Sequence, residues 1–187
     1  MNASPRQKSV VQKDLSEICE ALSAPQPSPA GVAMAAMSGA MAVSLLIKVL
    51  LITGKGCTFV QPAQDLALEL RNTADHDARA VERYMRLRDA ESARALLEVP
   101  LRAIRALARG AELCAQVVPQ VSGLIAADVD SALEILTAAA RAAILCLSRN
   151  LEKAPNSTVA AELKRLNTRV QAASRALASP ETTDPSI

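Results

Sequence analysis

Asp128 stands among Ile125, Ala126, Ala127, Val129, Ala132 and Leu133. A lone carboxylate in such an apolar setting is costly unless it is paired or neutralised. Two uses are open from the residues alone: Asp128 caps or ion-pairs a helix start, or it projects into a pocket and handles protons there. Asp75-His76-Asp77 offers two carboxylates beside the chain's one histidine, in a segment of alternating charge. An exposed helical face accounts for that cluster. One imidazole between two carboxylates is neither a metal site nor a catalytic triad without further ligands or a placed nucleophile. Lys55, between Gly54 and Gly56, suits either contact with an anionic ligand or a solvated helix end.

The elements that must position these groups are helical. Alanine makes up about a fifth of the 187 residues, while Phe59 and Tyr84 are the only aromatics. Strand-favouring residue types are therefore scarce and helix-favouring ones abundant, which predicts an all-α chain. We expect a bundle of about six to eight helices around a long central apolar helix, in one domain over residues 9–178. Residues 1–8 read as a flexible start and residues 179–187 as a disordered tail.

The central helix is Ala30 to Ile52, built almost wholly of Ala, Met, Val, Leu, Ile, Gly and Ser, with Lys48 as its one charge. Its length suits a membrane span as well as a buried helix. Lys48, the small side chains from Ala30 to Ala42 and the missing anchors at its amino-terminal flank favour the buried helix. Gly31, Ala35 and Gly39 recur every four residues as a stripe on which another backbone packs closely.

Before this helix, Val10, Val11, Leu15, Ile18, Cys19 and Leu22 share one face, predicting a helix from Ser9 to Ala24 that Pro25, Pro27 and Pro29 stop. After it, Gly54 and Gly56 end the helix, and Pro62 suits the first turn of the next, which should reach Ala90. A shorter helix, Glu91 to Val99, meets a kink or stop at Pro100. Ser122 to Leu151 forms a second strongly apolar helix, but Asp128, Asp130, Glu134 and Arg141 are too many charges for a lipid-facing span. The last helix covers Asn156 to Leu177, with Asn156, Ser157 or Thr158 as its cap.

Charge and cysteine usage exclude several classes of function. The net charge is +2, with acids and bases intermixed, so the basic footprint of a nucleic-acid binder is missing. Cys19, Cys57, Cys114 and Cys146 form no Cys-x-x-Cys pair, and reduced, buried thiols with no bound metal are expected. The polar start and the early acids Asp14, Glu17 and Glu20 do not fit a secretory signal, so a cytoplasmic protein off the membrane is expected. Asn156-Ser157-Thr158 then reads as a helix start rather than a glycosylation acceptor.

Several segments, in order, resemble the cyclodeaminase/cyclohydrolase family, which includes methenyltetrahydrofolate cyclohydrolases and the cyclodeaminase part of formiminotransferase-cyclodeaminase. The likeness begins at Pro27-Ser28-Pro29-Ala30-Gly31-Val32-Ala33 and Met37-Ser38-Gly39-Ala40-Met41. It continues at Gly54-Lys55, at Asp77-Ala78-Arg79-Ala80 to Met85, and at Glu98-Val99-Pro100-Leu101. Ala127-Asp128-Val129 and Asn150-Leu151 complete it, and together they cover roughly residues 10 to 175.

The resemblance implies a helical homodimer and a tetrahydrofolate derivative as substrate, with no metal. The reaction it implies is water addition to 5,10-methenyltetrahydrofolate, or loss of ammonia from the 5-formimino adduct. On that reading Asp128 steadies the reacting carbon and takes a proton, Asp77 supports it, and Lys55 holds the anionic tail of the folate. Pro29, Gly31 and Ala33 then line the substrate loop. Departures from the family pattern touch the ligand contacts. Of three loop glycines only Gly31 remains, Val32 and Ala33 replace the third glycine and the serine, and Cys146 stands where Asn is expected. Side chains at Ala30 and Val32 are expected to crowd a ligand that needs close backbone approach. The alternative is a relative that keeps the helical dimer as a binding or structural protein without turnover.

Overall fold

The computed structural model describes residues 9–54 and 56–177. Lys55, the amino-terminal residues 1–8 and residues 178–187, which include the expected tail 179–187, lie outside the described residues. Six α-helices follow in order: α1 (Leu15–Ser23), α2 (Gly31–Thr53), α3 (Cys57–Leu87), α4 (Ala90–Val117), α5 (Ala126–Lys153) and α6 (Ser157–Ser174). Among the described residues there is no strand, and the all-α bundle with a long central apolar helix is as expected.

The first helix is shorter than its periodicity predicts. A 3-10 turn at Val10–Gln12 precedes it, and the helix proper restarts at Asp14. The Asp14 carboxylate accepts from the Glu17 N–H at 2.8 Å while the Glu17 carboxylate accepts from the Asp14 N–H at 2.9 Å. Such a reciprocal capping box fixes a helix start locally, whatever the apolar pattern on either side of it.

α2 packs mainly against α3 and α5, with α4 crossing it. Val43, Leu46, Val49 and Leu50 are buried on its inner side. Both α2 and α5 are long and apolar enough to cross a membrane, and half of the apolar window of α2 is buried inside the chain. The small-residue stripe is used for close approach: a Cβ at Gly39 would run into the Leu107 side chain of α4. α2 closes at Gly54, whose left-handed φ of 64° suits glycine.

Four features differ from expectation. Pro62 is the sixth residue of α3 rather than part of its first turn, and α3 ends earlier, at Leu87, because the Asp89 carboxylate caps α4 through the Ser92 N–H at 2.7 Å. α5 begins at Ala126, after Gly123 turns the chain with a φ of 74°, not at Ser122. α4 runs unbroken through Pro100 where a short interrupted helix was expected.

The last difference has a chemical explanation. Proline at position 100 has no N–H, so the carbonyl four residues earlier, at Leu96, loses its helical partner. The Asn150 side-chain amide on α5 donates to that carbonyl at 2.8 Å. Burial of Leu97, Leu101, Ile104 and Leu107 on both sides of the proline holds the rest of α4 in place. Paired ions tie α4 to α6, Arg105 to Glu162 at 2.6 Å and Arg169 to Glu112 at 2.7 Å.

Candidate functional site

The segment between α1 and α2 is anchored on α3 by two consecutive residues. The Ser28 hydroxyl donates to the Ala78 carbonyl at 3.1 Å. The neighbouring Asp77 carboxylate accepts the Ala33 N–H, also at 3.1 Å. Ala33 lies in the first turn of α2, whose cap residue Ala30 has no side-chain acceptor to offer. Asp77 therefore supplies from α3 the anionic group that a helix amino terminus favours.

Asp77 is the one buried carboxylate among the described residues, 3% exposed. Burial pushes its carboxyl up from the ordinary 3.8 to about 6, and the Ala33 N–H holds it back in part. Only one of its oxygens is hydrogen-bonded. Among the described residues no side-chain oxygen is both sealed from solvent and unpartnered, so the second Asp77 oxygen keeps contact with solvent. A carboxyl poised near neutral pH with one free oxygen can take up and give back a proton.

Across from it on α5 is Cys146. A Cβ at Gly31 would sit 2.9 Å from the Cys146 sulfur, so glycine is what lets α5 come this close to the start of α2. Burial first, and the Asp77 charge second, push the Cys146 thiol up, which leaves it protonated and a poor nucleophile. Val32, in the first turn of α2, is 5% exposed.

Beyond the loop lies a cleft of about 220 Å³, lined by Lys13, Ser28, Pro29, Asp75, Arg79 and Glu82 among others. Asp75, Arg79 and Glu82 recur at helical spacing on one side of α3. Sequence reasoning named Pro29 here and passed over Lys13 and Arg79; the spacing was its one available signal.

The helix splits the Asp75-His76-Asp77 cluster among three directions. Asp75 accepts the Val11 N–H at 3.3 Å, His76 Nδ1 meets the Arg102 guanidinium at 3.3 Å, and Asp77 turns inward. Of the residues singled out from sequence, the structure thus gathers Asp77, Gly31 and Ala33 at the start of α2, with Pro29 just before it. Ala33 contributes its N–H to Asp77, and its side chain is fully buried. Asp128 lies elsewhere. It sits in the first turn of α5, paired with Lys48 at 3.3 Å, with both side chains well exposed. From Ala33 to Lys48 is fifteen residues of α2, or about 22 Å along its axis. Within one protomer Asp128 and Asp77 do not share a site.

A family model described as formiminotransferase-cyclodeaminase matches residues 14–168. The chain belongs to the formiminotransferase-cyclodeaminase family. A crystal structure of formiminotetrahydrofolate cyclodeaminase from Thermotoga maritima has the same fold, with a TM-score of 0.83 over 90% of this chain and 95% of that one. The two are 20% identical. Comparison with curated proteins gives no match. Within the formiminotransferase-cyclodeaminase family assignment, the segment from Pro27 to Ala33, Asp77 and Cys146 fall inside the matched range, together with Asp128.

Proposed function

We infer that this chain is a folate one-carbon enzyme that removes ammonia from 5-formiminotetrahydrofolate or hydrolyses 5,10-methenyltetrahydrofolate, with Asp77 as its proton-handling carboxylate. The observation that carries the reading is the buried Asp77 at the start of α2, with a pKa of about 6 and one free oxygen. Family membership supports the substrate class. A homodimer, which the family resemblance implies, belongs to the same reading.

Both reactions ask little of the protein. In the hydrolysis, water adds to the cationic methenyl carbon and Asp77 accepts one of its protons; the bond from that carbon to N5 then breaks, the remaining hydroxyl proton passes to N5, and the formyl group is left on N10. In the deamination, N10 attacks the formimino carbon and loses its proton to Asp77, which passes it to the departing nitrogen as ammonia leaves. In each case the ionised carboxylate is the active form, and its charge complements the amidinium-like carbon. Lys13 and Arg79 in the neighbouring cleft are suited to the anionic glutamate end of a folate.

A second reading, a helical dimer without turnover, is favoured by Cys146 and by the loss of two loop glycines. Purified protein separates the two. Ammonia release from 5-formiminotetrahydrofolate and absorbance loss of 5,10-methenyltetrahydrofolate are measured against buffer, alongside a folate titration. Turnover of either compound supports the enzyme. Rates equal to buffer with no folate bound leave the second reading.

A further inference from the structure

The first turn of α2 is touched from two sides. From α3 the Asp77 carboxylate takes the Ala33 N–H at 3.1 Å, and from α5 the Cys146 sulfur lies where a Cβ at Gly31 would come within 2.9 Å of it. The two side chains close on the same turn, near enough for the Asp77 charge to help hold the thiol in its neutral form.

No cation answers Asp77. Among the described residues it has no ion pair, and burial and the Ala33 N–H are the influences on its ionisation. The other ionisable groups nearby are turned elsewhere. On α3, Asp75 accepts the Val11 N–H, His76 meets Arg102, and Arg79 and Glu82 line the cleft with Lys13. Residues 24–47, which include the connector and most of α2, carry no ionisable side chain. On α4, Arg94 and Glu98 are exposed, and on α5 Arg149 pairs with Glu152 at the surface. Cys146 is left as the titratable side chain that another helix brings to Asp77.

What residue 146 offers the carboxylate then decides how readily it ionises. A hydroxyl donates a strong hydrogen bond to the ionised form and favours it, whereas a thiol is a weak donor that packs like a small apolar group. Among the described residues Cys146 makes no hydrogen bond to Asp77. Glycine at position 31 leaves the sulfur the room to lie there.

We propose that Cys146 is a positioning residue for Asp77: its neutral thiol covers the α5 side of the carboxylate without donating to it, which keeps the second oxygen free to take a proton. The proposal rests on Asp77 as the proton-handling group of the preceding reading. It gives a use to the cysteine that stands where the family pattern has asparagine.

Carbon-13 NMR titration of the full chain, labelled at the aspartate carboxyl carbons, reads Asp77 without any folate, and Asp77→Asn assigns the signal by its loss. The wild type is expected to titrate at about 6. In Cys146→Ser the hydroxyl donates to the ionised form and the midpoint falls by about one pH unit, while Cys146→Val, which keeps the cover apolar, holds it within about 0.3 of wild type. The coupling runs both ways. Alkylation of Cys146 by iodoacetamide at pH 8, followed on its tryptic peptide, becomes about threefold faster in Asp77→Asn; this readout keeps the native residue at 146 and does not depend on either replacement folding. An unmoved midpoint in a folded Cys146→Ser chain, the same fall in Cys146→Val, or alkylation indifferent to Asp77→Asn overturns the proposal. If the wild type turns over folate, the acid limb of kcat/KM in Cys146→Ser moves down with the NMR midpoint while KM changes by less than about twofold, and a limb that stays in place overturns the proposal as well. A midpoint that moves as expected in a chain that turns over no folate sinks the enzyme reading alone.

Discussion

Asp77→Asn should make the protein more stable at pH 8. The carboxyl moves from 3.8 to about 6 on folding, mainly because burial disfavours its charge, and a displacement of that size corresponds to about 3 kcal/mol. Between those two values the folded chain holds a proton that the unfolded chain has released, so stability falls as pH rises through this window and stays low above it. Asparagine has nearly the same shape, and its side-chain oxygen can still accept the Ala33 N–H, yet it carries no charge to desolvate. The variant should therefore gain about 2–3 kcal/mol over wild type at pH 8 and nothing at pH 3.5. In a chain of this size that is roughly 5–10 °C in melting temperature. Paired denaturant or thermal melts across pH 3.5 to 8 read the difference directly. A difference that does not change with pH, or a variant less stable than wild type at pH 8, would refute the claim that Asp77 is held charged at a cost. Loss of activity in that same more stable variant would mark the cost as functional.

Three further outcomes follow from the packing. Asn150→Ala should cost about 1–2 kcal/mol by stranding the Leu96 carbonyl, and under about 0.5 kcal/mol in a Pro100→Ala background, where the restored N–H takes over that bond; a double-mutant cycle in urea measures the coupling. Gly31→Ala should be destabilising beside Cys146 but stabilising by about 0.5–1 kcal/mol once Cys146→Ala clears the sulfur, as the better helix former then shows its preference; chemical melts of the four chains check the sign change. Gly39→Ala should lose about 1–3 kcal/mol despite alanine's helix propensity, because its methyl overlaps Leu107; thermal melts showing a gain would contradict the packing of α2 on α4.

Much of the fold was readable because the helical signals are long and consistent. The apolar run of α2 and its glycine stop at Gly54 came out as read, and of the three cap residues offered for α6 the structure uses Asn156. What misled was local chemistry with a remote partner. Pro100 reads as a break until Asn150, fifty residues away in sequence, supplies the missing donor. The candidate site was legible in part. The Pro27 to Ala33 segment and Asp77 were singled out, but ranking Asp128 first rested on its apolar neighbours, of which Val129, Ala132 and Leu133 face the core while Asp128 itself pairs with Lys48. Asp77 looked like one charge in a solvated run because one turn of a helix points adjacent residues in different directions, and composition cannot say which of them points inward.

The most direct test of the central claim is the pH dependence of kcat/KM for ammonia release from 5-formiminotetrahydrofolate. In the wild type the rate should rise with pH through about 6 and level off, since the ionised Asp77 is the active form. Asp77→Asn should remove that limb and lower the plateau by about a hundredfold or more. A variant that keeps both the limb and the rate would show that the proton passes through some other group.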